Sequence, residues 1–256
     1  MRVHLSHSDT GTGAPPIVFV HGLCCDRNAW EPQVADLSRD HRCIAVDLRG
    51  RGQTPPQPPF GIEQAARDIA ELVDQLGVGP AVVIGHSLGG ITALVINELR
   101  PDLVLGIVTG DSPIAEPRRD VTSPLVQRIE QLGTREGLRP LVESFFTPES
   151  SPAAREYAER VMYNCPPEVA TGMLQDAPDV LSRLPQLIQA ADTKPFMAIW
   201  AERPLGDPAW LRRVSRFARQ EPLPGTGHFF QLEQPERTIA LLRAFLDDVA
   251  SDPRIR

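Results

Sequence analysis

Lysine is nearly absent from this chain. Lys194 is the only one in 256 residues, and every other basic side chain is an arginine or histidine. The imbalance reads as a codon-usage imprint, not as a phosphate-binding signal. Cysteine is scarce too: Cys24, Cys25, Cys43 and Cys165. No pair has C-x-x-C spacing and no Cys/His cluster suggests zinc, so no metal is expected. Adjacent Cys24 and Cys25 are poorly placed to bridge each other, and a reduced, cytoplasmic protein is the simplest expectation. Aromatic residues make up only 5%. No apolar run approaches the roughly 20 residues needed to cross a bilayer. The start, Met1-Arg2-Val3-His4-Leu5-Ser6, lacks the apolar stretch of a signal peptide. Lys+Arg is outnumbered by Asp+Glu, 26 to 33, and the net charge of -7 argues against nucleic acid or an anionic membrane as main partner.

What is present suits one large globular domain, or one domain with an insertion. The chain is 41% hydrophobic and 23% charged, which excludes a disordered chain, and it is long enough to bury a core without staples. Continuous apolar runs at Ile17–Val20, Cys43–Val46, Ala81–Ile84, Leu103–Val108 and Phe196–Trp200 read as strands buried on both faces of a parallel sheet. Amphipathic segments alternate with them. Ile62, Ala65, Ala66, Ile69, Leu72, Val73 and Leu76 recur at helical spacing, with Gly77 as a C-cap. Further helices run from Leu88 to Leu99 and after Pro235. The alternation predicts an α/β doubly wound sheet. Between 108 and 196 no strand pattern appears. Prolines such as Pro113, Pro140 and Pro166 cut this stretch into short helical pieces, among them Leu125–Leu132 and Ala153–Met162. A structureless loop so long is improbable, so a helical cap is expected at 113–193, inserted into a core of 1–112 and 194–256.

Gly85-His86-Ser87-Leu88-Gly89-Gly90 follows one predicted strand and opens a predicted helix. This is G-x-S-x-G in the context that gives it meaning. A sharp, strained turn presents Ser87, and the flanking glycines let strand and helix approach without a Cβ clash. The helix N-terminus favours developing negative charge. A serine needs a base. Of the six histidines, His4 and His7 lie in a polar start, His41 precedes a strand, and His86 should point away from its neighbour Ser87. His21 belongs to another motif. That leaves His228, in Gly225-Thr226-Gly227-His228-Phe229-Phe230, where glycines permit a tight loop.

Four stretches together resemble the α/β-hydrolase fold superfamily, in its esterase, lipase and C–C hydrolase branch. They are His21-Gly22-Leu23 with Trp30, Asp47-Leu48-Arg49-Gly50-Arg51-Gly52, the Ser87 elbow, and Gly225-Thr226-Gly227-His228-Phe229. The resemblance covers the chain outside the cap. It implies an oxyanion hole from the Leu23 and Leu88 amides, no cofactor, and a structural turn at Gly50-Arg51-Gly52. It also argues against dehalogenase and epoxide hydrolase activity, because those relatives carry Asp at the elbow where this chain has Ser87. Cys24 and Cys25 read as small buried hydrophobes, and Arg212, Arg213, Arg216 and Arg219 as a solvated helix face.

The acid departs from the commonest pattern. Most relatives place Asp just after the strand that here is Phe196–Trp200, but Pro204 holds that position. Asp111 after the preceding strand, Glu202 and Asp207 remain, preferred in that order. Zearalenone-type lactonases are similar in taking their acid from the earlier strand, and the chain order Ser87, Asp111, His228 is the usual one. The expectation is a serine hydrolase cleaving a carboxylic ester or lactone through an acyl-enzyme. A C–C bond hydrolase with the same residues, or a ligand-binding sensor retaining a slow hydrolase site, is the alternative. Phe145, Phe146, Met162, Tyr163, Met173 and Leu174 in the cap, with Trp30, are expected to line an apolar pocket for a neutral small-molecule substrate.

Overall fold

The computed structural model describes residues 3–117 and 122–253. Met1, Arg2 and residues 118–121 of the expected cap lie outside the described residues. A seven-stranded sheet runs in the order β1-β3-β2-β4-β5-β6-β7. Its strands are β1 (His7–Thr10), β2 (Ile17–Val20), β3 (Cys43–Val46), β4 (Ala81–His86), β5 (Val104–Gly110), β6 (Phe196–Ala201) and β7 (Arg219–Leu223). Only β1 pairs antiparallel, against β3; all other pairings are parallel. The five strands expected from apolar runs form the interior. The two edge strands are more polar. Arg219 lies in β7 and Arg216 beyond the last residue of the helix Pro208–Val214, so neither sits on the expected helix face.

Helices cover both faces: α1 (Glu31–Leu37), α2 (Ile62–Leu76), α3 (Leu88–Leu99), α4 (Ser123–Ser144, broken at Gly133), α5 (Pro152–Tyr163), α6 (Pro167–Gly172), α7 (Ala177–Ser182), α8 (Leu184–Ala191), α9 (Pro208–Val214), α10 (Phe230–Glu233) and α11 (Pro235–Ser251). Side chains along β2 alternate between two apolar clusters. Val18 and Val20 join the face covered by α2, α3 and α8, while Ile17 and Phe19 join the face covered by α1 and α11. Gly77 caps α2 at φ 58, as its position suggests.

Among the described residues, no strand lies between β5 and β6; α4 to α8 fill the interval. Their apolar side chains, including Val142, Met162, Val169 and Leu187, join the α2–α3 cluster. Polar bonds tie this helical segment to the loops beneath it. The Asp176 carboxylate accepts the Ile62 and Glu63 amides at 2.8 and 2.9 Å, capping α2 in place of a local side chain. Arg51 donates to Cys25 O at 3.0 Å and to Val161 O at 2.8 Å. The Tyr157 hydroxyl donates to Asp26 Oδ1 at 3.0 Å. No helix among the described residues is long and apolar enough to cross a membrane.

Candidate active site

Parallel strands deliver their C-terminal ends to one edge of the sheet, where sites of α/β folds form. The loop after β2 carries Leu23, the turn after β4 carries Ser87, the turn after β5 carries Asp111, and the loop after β7 carries His228. Among the described residues, three non-glycine residues have positive φ: Cys24 (57°), Ser87 (55°) and Asp111 (41°). All three belong to these turns. Such backbone costs about 1–3 kcal/mol per residue and persists where surrounding structure over-determines it.

Ser87 separates β4 from α3 at φ 55, ψ −122. Its amide donates to Gly110 O at 2.7 Å, which fixes the turn against β5. A Cβ on Gly85 would sit 2.1 Å from Gly89 O, so only glycine permits this approach of strand and helix. The Leu88 amide is first in its helix and therefore has no intrahelical partner. The Leu23 and Leu88 backbone N–H groups have no backbone acceptor among the described turn and loop bonds, and both residues line the cavity that holds Ser87.

His228 Nδ1 lies 2.6 Å from Asp111 Oδ2, and both side chains are buried. The imidazole stacks on the Phe145 ring, centroids 4.1 Å apart, and the His228 amide donates to Phe145 O at 2.7 Å. No hydrogen bond joins Ser87 Oγ to His228 among the described residues; both line one cavity. Glu202 is turned elsewhere: its Oε2 accepts the Gly225 amide at 2.9 Å. Asp207 caps α9, accepting the Ala209 and Trp210 amides. Of the three carboxylates weighed from the sequence, the structure brings Asp111 alone to the imidazole.

His86 does not simply point away. Its ring is buried 4.5 Å from the His228 ring, centroid to centroid, and its Nε2 lies 2.9 Å from His228 O. Burial, reinforced by the neighbouring His228, holds its pKa well below the ordinary value. His21 is likewise buried, with Nδ1 2.8 Å from Gly22 O while Nε2 accepts the Leu48 amide at 3.1 Å. Desolvation lowers its pKa to about 4. Both rings stay neutral in the folded protein, whereas an unfolded histidine takes a proton near pH 6.5. Stability is therefore fully present above about pH 6.5 and is lost as pH falls toward about 4, on the order of 3 kcal/mol for His21 alone. Urea unfolding at pH 7, 6 and 5 should show a falling free energy; a flat profile would contradict this.

The cavity above Ser87 has a volume of about 470 Å³. Phe145, Met162 and Leu174 line it. Phe146, Tyr163 and Met173 do not. The sequence offers these six as adjacent pairs; Met162 and Tyr163 end α5, where neighbouring side chains point about 100° apart, while Phe145/Phe146 and Met173/Leu174 lie just past the ends of α4 and α6. Phe146 packs on Phe229, and Tyr163 meets Arg135 in a separate surface groove. Trp30 is a correction: it lies on the opposite face of the sheet, its indole donating to Val20 O at 3.2 Å. Ala177, Leu181 and Leu184 also line the cavity and were not singled out from the sequence. Their i, i+4, i+7 spacing is the signal that would have found them. Cys25 reaches the wall as well, its thiol pKa pushed up by burial. Asp47 is structural: its carboxylate accepts the Arg27 and Gln53 amides. Arg49 forms a buried pair with Asp68. Among the described residues, no group of acidic, His or Cys side chains could hold a metal ion.

Comparison with known proteins agrees with this architecture. The chain is 27% identical over 271 residues to the 2-(acetamidomethylene)succinate hydrolase of Mesorhizobium japonicum, covering 96% of this chain and 92% of that protein. It is 36% identical over 103 residues to the mouse sn-1-specific diacylglycerol lipase ABHD11, which covers 39% of this chain. Matches to this lipase and two other curated relatives span 34 to 64% of those proteins' lengths. A solved structure of a thermophilic esterase from Thermogutta terrifontis superposes with a TM-score of 0.86 at 25% identity, over 96% of this chain and 94% of that one. The sequence profile of the alpha/beta hydrolase family matches residues 17–241, from β2 into α11, and so takes in every turn that builds the site: the chain belongs to the α/β hydrolase family.

Proposed function

We propose that the protein is a serine hydrolase that cleaves a carboxylic ester or lactone of a neutral, largely apolar small molecule. The observation that carries this is the buried His228–Asp111 pair facing the cavity that holds the strained Ser87 turn. Ser87 Oγ attacks the carbonyl carbon and passes its proton to His228 Nε2. The Leu23 and Leu88 amides receive the developing oxyanion; preorganised donors of this kind are worth about 2.7–4 kcal/mol each. His228 then returns the proton to the departing alkoxide as the C–O bond breaks, which leaves an acyl-enzyme. Water attacks the acyl carbon next, its proton going to His228, which passes it to Ser87 Oγ as the acyl–oxygen bond breaks and the carboxylic acid is released. Asp111 holds the imidazole tautomer and stabilises the imidazolium. No cofactor enters these steps. Residues 113–193 act as the cap, roofing the cavity and setting its selectivity, over a core of 1–112 and 194–256.

The described lining is dominated by Leu, Phe, Met and Ala and contains no Lys or Arg. A substrate carboxylate would lose its hydration there without gaining a counter-ion. Neutral esters or lactones with longer apolar groups should therefore have higher kcat/KM than short carboxylate-bearing ones. Kinetics on a panel of esters, lactones and vinylogous diketones tests this. A preference for the charged short substrates would overturn it. Turnover of diketones alone would favour a C–C hydrolase, and stoichiometric acylation without turnover a ligand sensor.

A further inference from the structure

The loop after β6 carries Pro204, which has no side-chain carboxylate to offer. That loop still turns toward the site. The Leu205 amide donates to Asp111 Oδ1 at 3.1 Å, and the Ala201 amide reaches the same oxygen at 3.4 Å. Oδ2 is left for His228. Two further bonds stitch β6 and its loop to the turn that bears Asp111: the Asp111 amide donates to Ile199 O in β6 at 2.7 Å, and the Asp207 amide in the loop to Ile114 O at 2.8 Å. Between Leu205 and Asp207, Gly206 lies flat against this turn. A Cβ there would sit 2.6 Å from Ile114 O, 2.7 Å from Ser112 O and 2.9 Å from Ile114 N. All three are backbone atoms, so a side chain at 206 can be admitted only by moving the loop away from the turn.

We infer that Leu205 and Gly206 form an amide clamp on the Asp111 carboxylate, with Gly206 the positioning residue that lets the Leu205 N–H reach it. The inference builds on the reading of Asp111 as the acid. Amide donors fix the plane of a carboxylate. Asp111 needs that help, because its backbone is strained at φ 41 and its side chain is buried. Ionisable groups near the pair include His86, against His228, Arg203, in the small cleft behind Asp111, and Glu116 and Asp207, on the cavity that His228 lines. The Arg203 guanidinium donates to Phe146 O at 3.0 Å, so a backbone carbonyl holds it.

The test is a double-mutant cycle on the full chain with a neutral aryl ester, combining Gly206→Ala with Asp111→Asn. Displacing the loop by about an ångström should lower kcat on the order of 10²-fold while KM stays near its original value. In the Asp111→Asn background the same change should cost much less, since the clamp acts only through the carboxylate. Leu205→Pro, which deletes the N–H itself, gives a second cycle should Gly206→Ala not fold; circular dichroism and urea midpoints check each variant. An equal loss in both backgrounds, or no loss in the parent enzyme, overturns the clamp while leaving a large Asp111→Asn effect intact. A near-wild-type Asp111→Asn enzyme would instead remove the acid assignment beneath it.

Discussion

Replacing Ser87 by alanine should lower turnover by about six orders of magnitude, the loss seen when a nucleophile is deleted from a cooperating Ser-His-Asp set. The expectation follows from geometry. The turn at φ 55 costs free energy that a plain connection would not, and it places the side chain beneath the cavity and beside two amides without backbone acceptors. Folding should be untouched, because no side-chain hydrogen bond from Ser87 caps α3. An organophosphate-type probe should label Ser87 alone, and Ser87→Ala should abolish labelling. Cys25 is the rival nucleophile on the cavity wall, but burial pushes its thiol pKa up and suppresses the reactive thiolate. Peptide mapping that finds the label on Cys25, or on another serine, would sink this reading.

Asp111→Asn should cost about 10⁴ in turnover with the fold intact. An amide at 111 can offer His228 Nδ1 a carbonyl oxygen but no negative charge, so the imidazolium formed during attack loses its stabiliser. The swap keeps the size of the side chain. Glu202→Gln should cost far less, because Glu202 serves the Gly225 amide on the exposed side of the loop. Asp207 caps α9 and is in the same position. Measuring both variants on one ester decides the matter: a larger loss in Glu202→Gln than in Asp111→Asn would move the acid.

The interior of the fold was open to sequence reading because β2, β3, β4, β5 and β6 are buried on both faces and so appear as unbroken apolar runs. The edges were not. β1 reads His-Ser-Asp-Thr and β7 reads Arg-Gln-Glu-Pro-Leu, since a strand at the rim has one side in water and carries the polar residues that discourage further pairing. In the site, glycine spacing marked the turns at Ser87 and His228, where backbone contacts dictate residue type. The cavity wall was harder. Which member of Met162/Tyr163 turns inward depends on the phase of α5, and Phe145/Phe146 and Met173/Leu174 lie in the turns that follow α4 and α6, where no helical period applies. Trp30 was misplaced for a related reason: the turn Arg27–Trp30 reverses the chain toward α1 and carries the indole through to the far side of the sheet. The role of His86 was hidden because its partner, the His228 carbonyl, is 142 positions away.

The stitching of residues 111–114 to the loop at 205–207 has a consequence for anyone exchanging the helical segment between relatives. Sequence alone puts the natural junction at 112/113, between the end of the strand and the run of prolines that starts at Pro113. Yet Ile114 is fully buried, and its carbonyl belongs to the sheet domain through the Asp207 amide. A chimera joined at 112/113 would import a foreign residue into that contact and disturb the acid along with the substrate pocket. Joined beyond Ile114, the donor segment could bring its own selectivity while the recipient keeps its proton-transfer geometry. For such an exchange the proposed cap is better taken to begin after Ile114 than at 113.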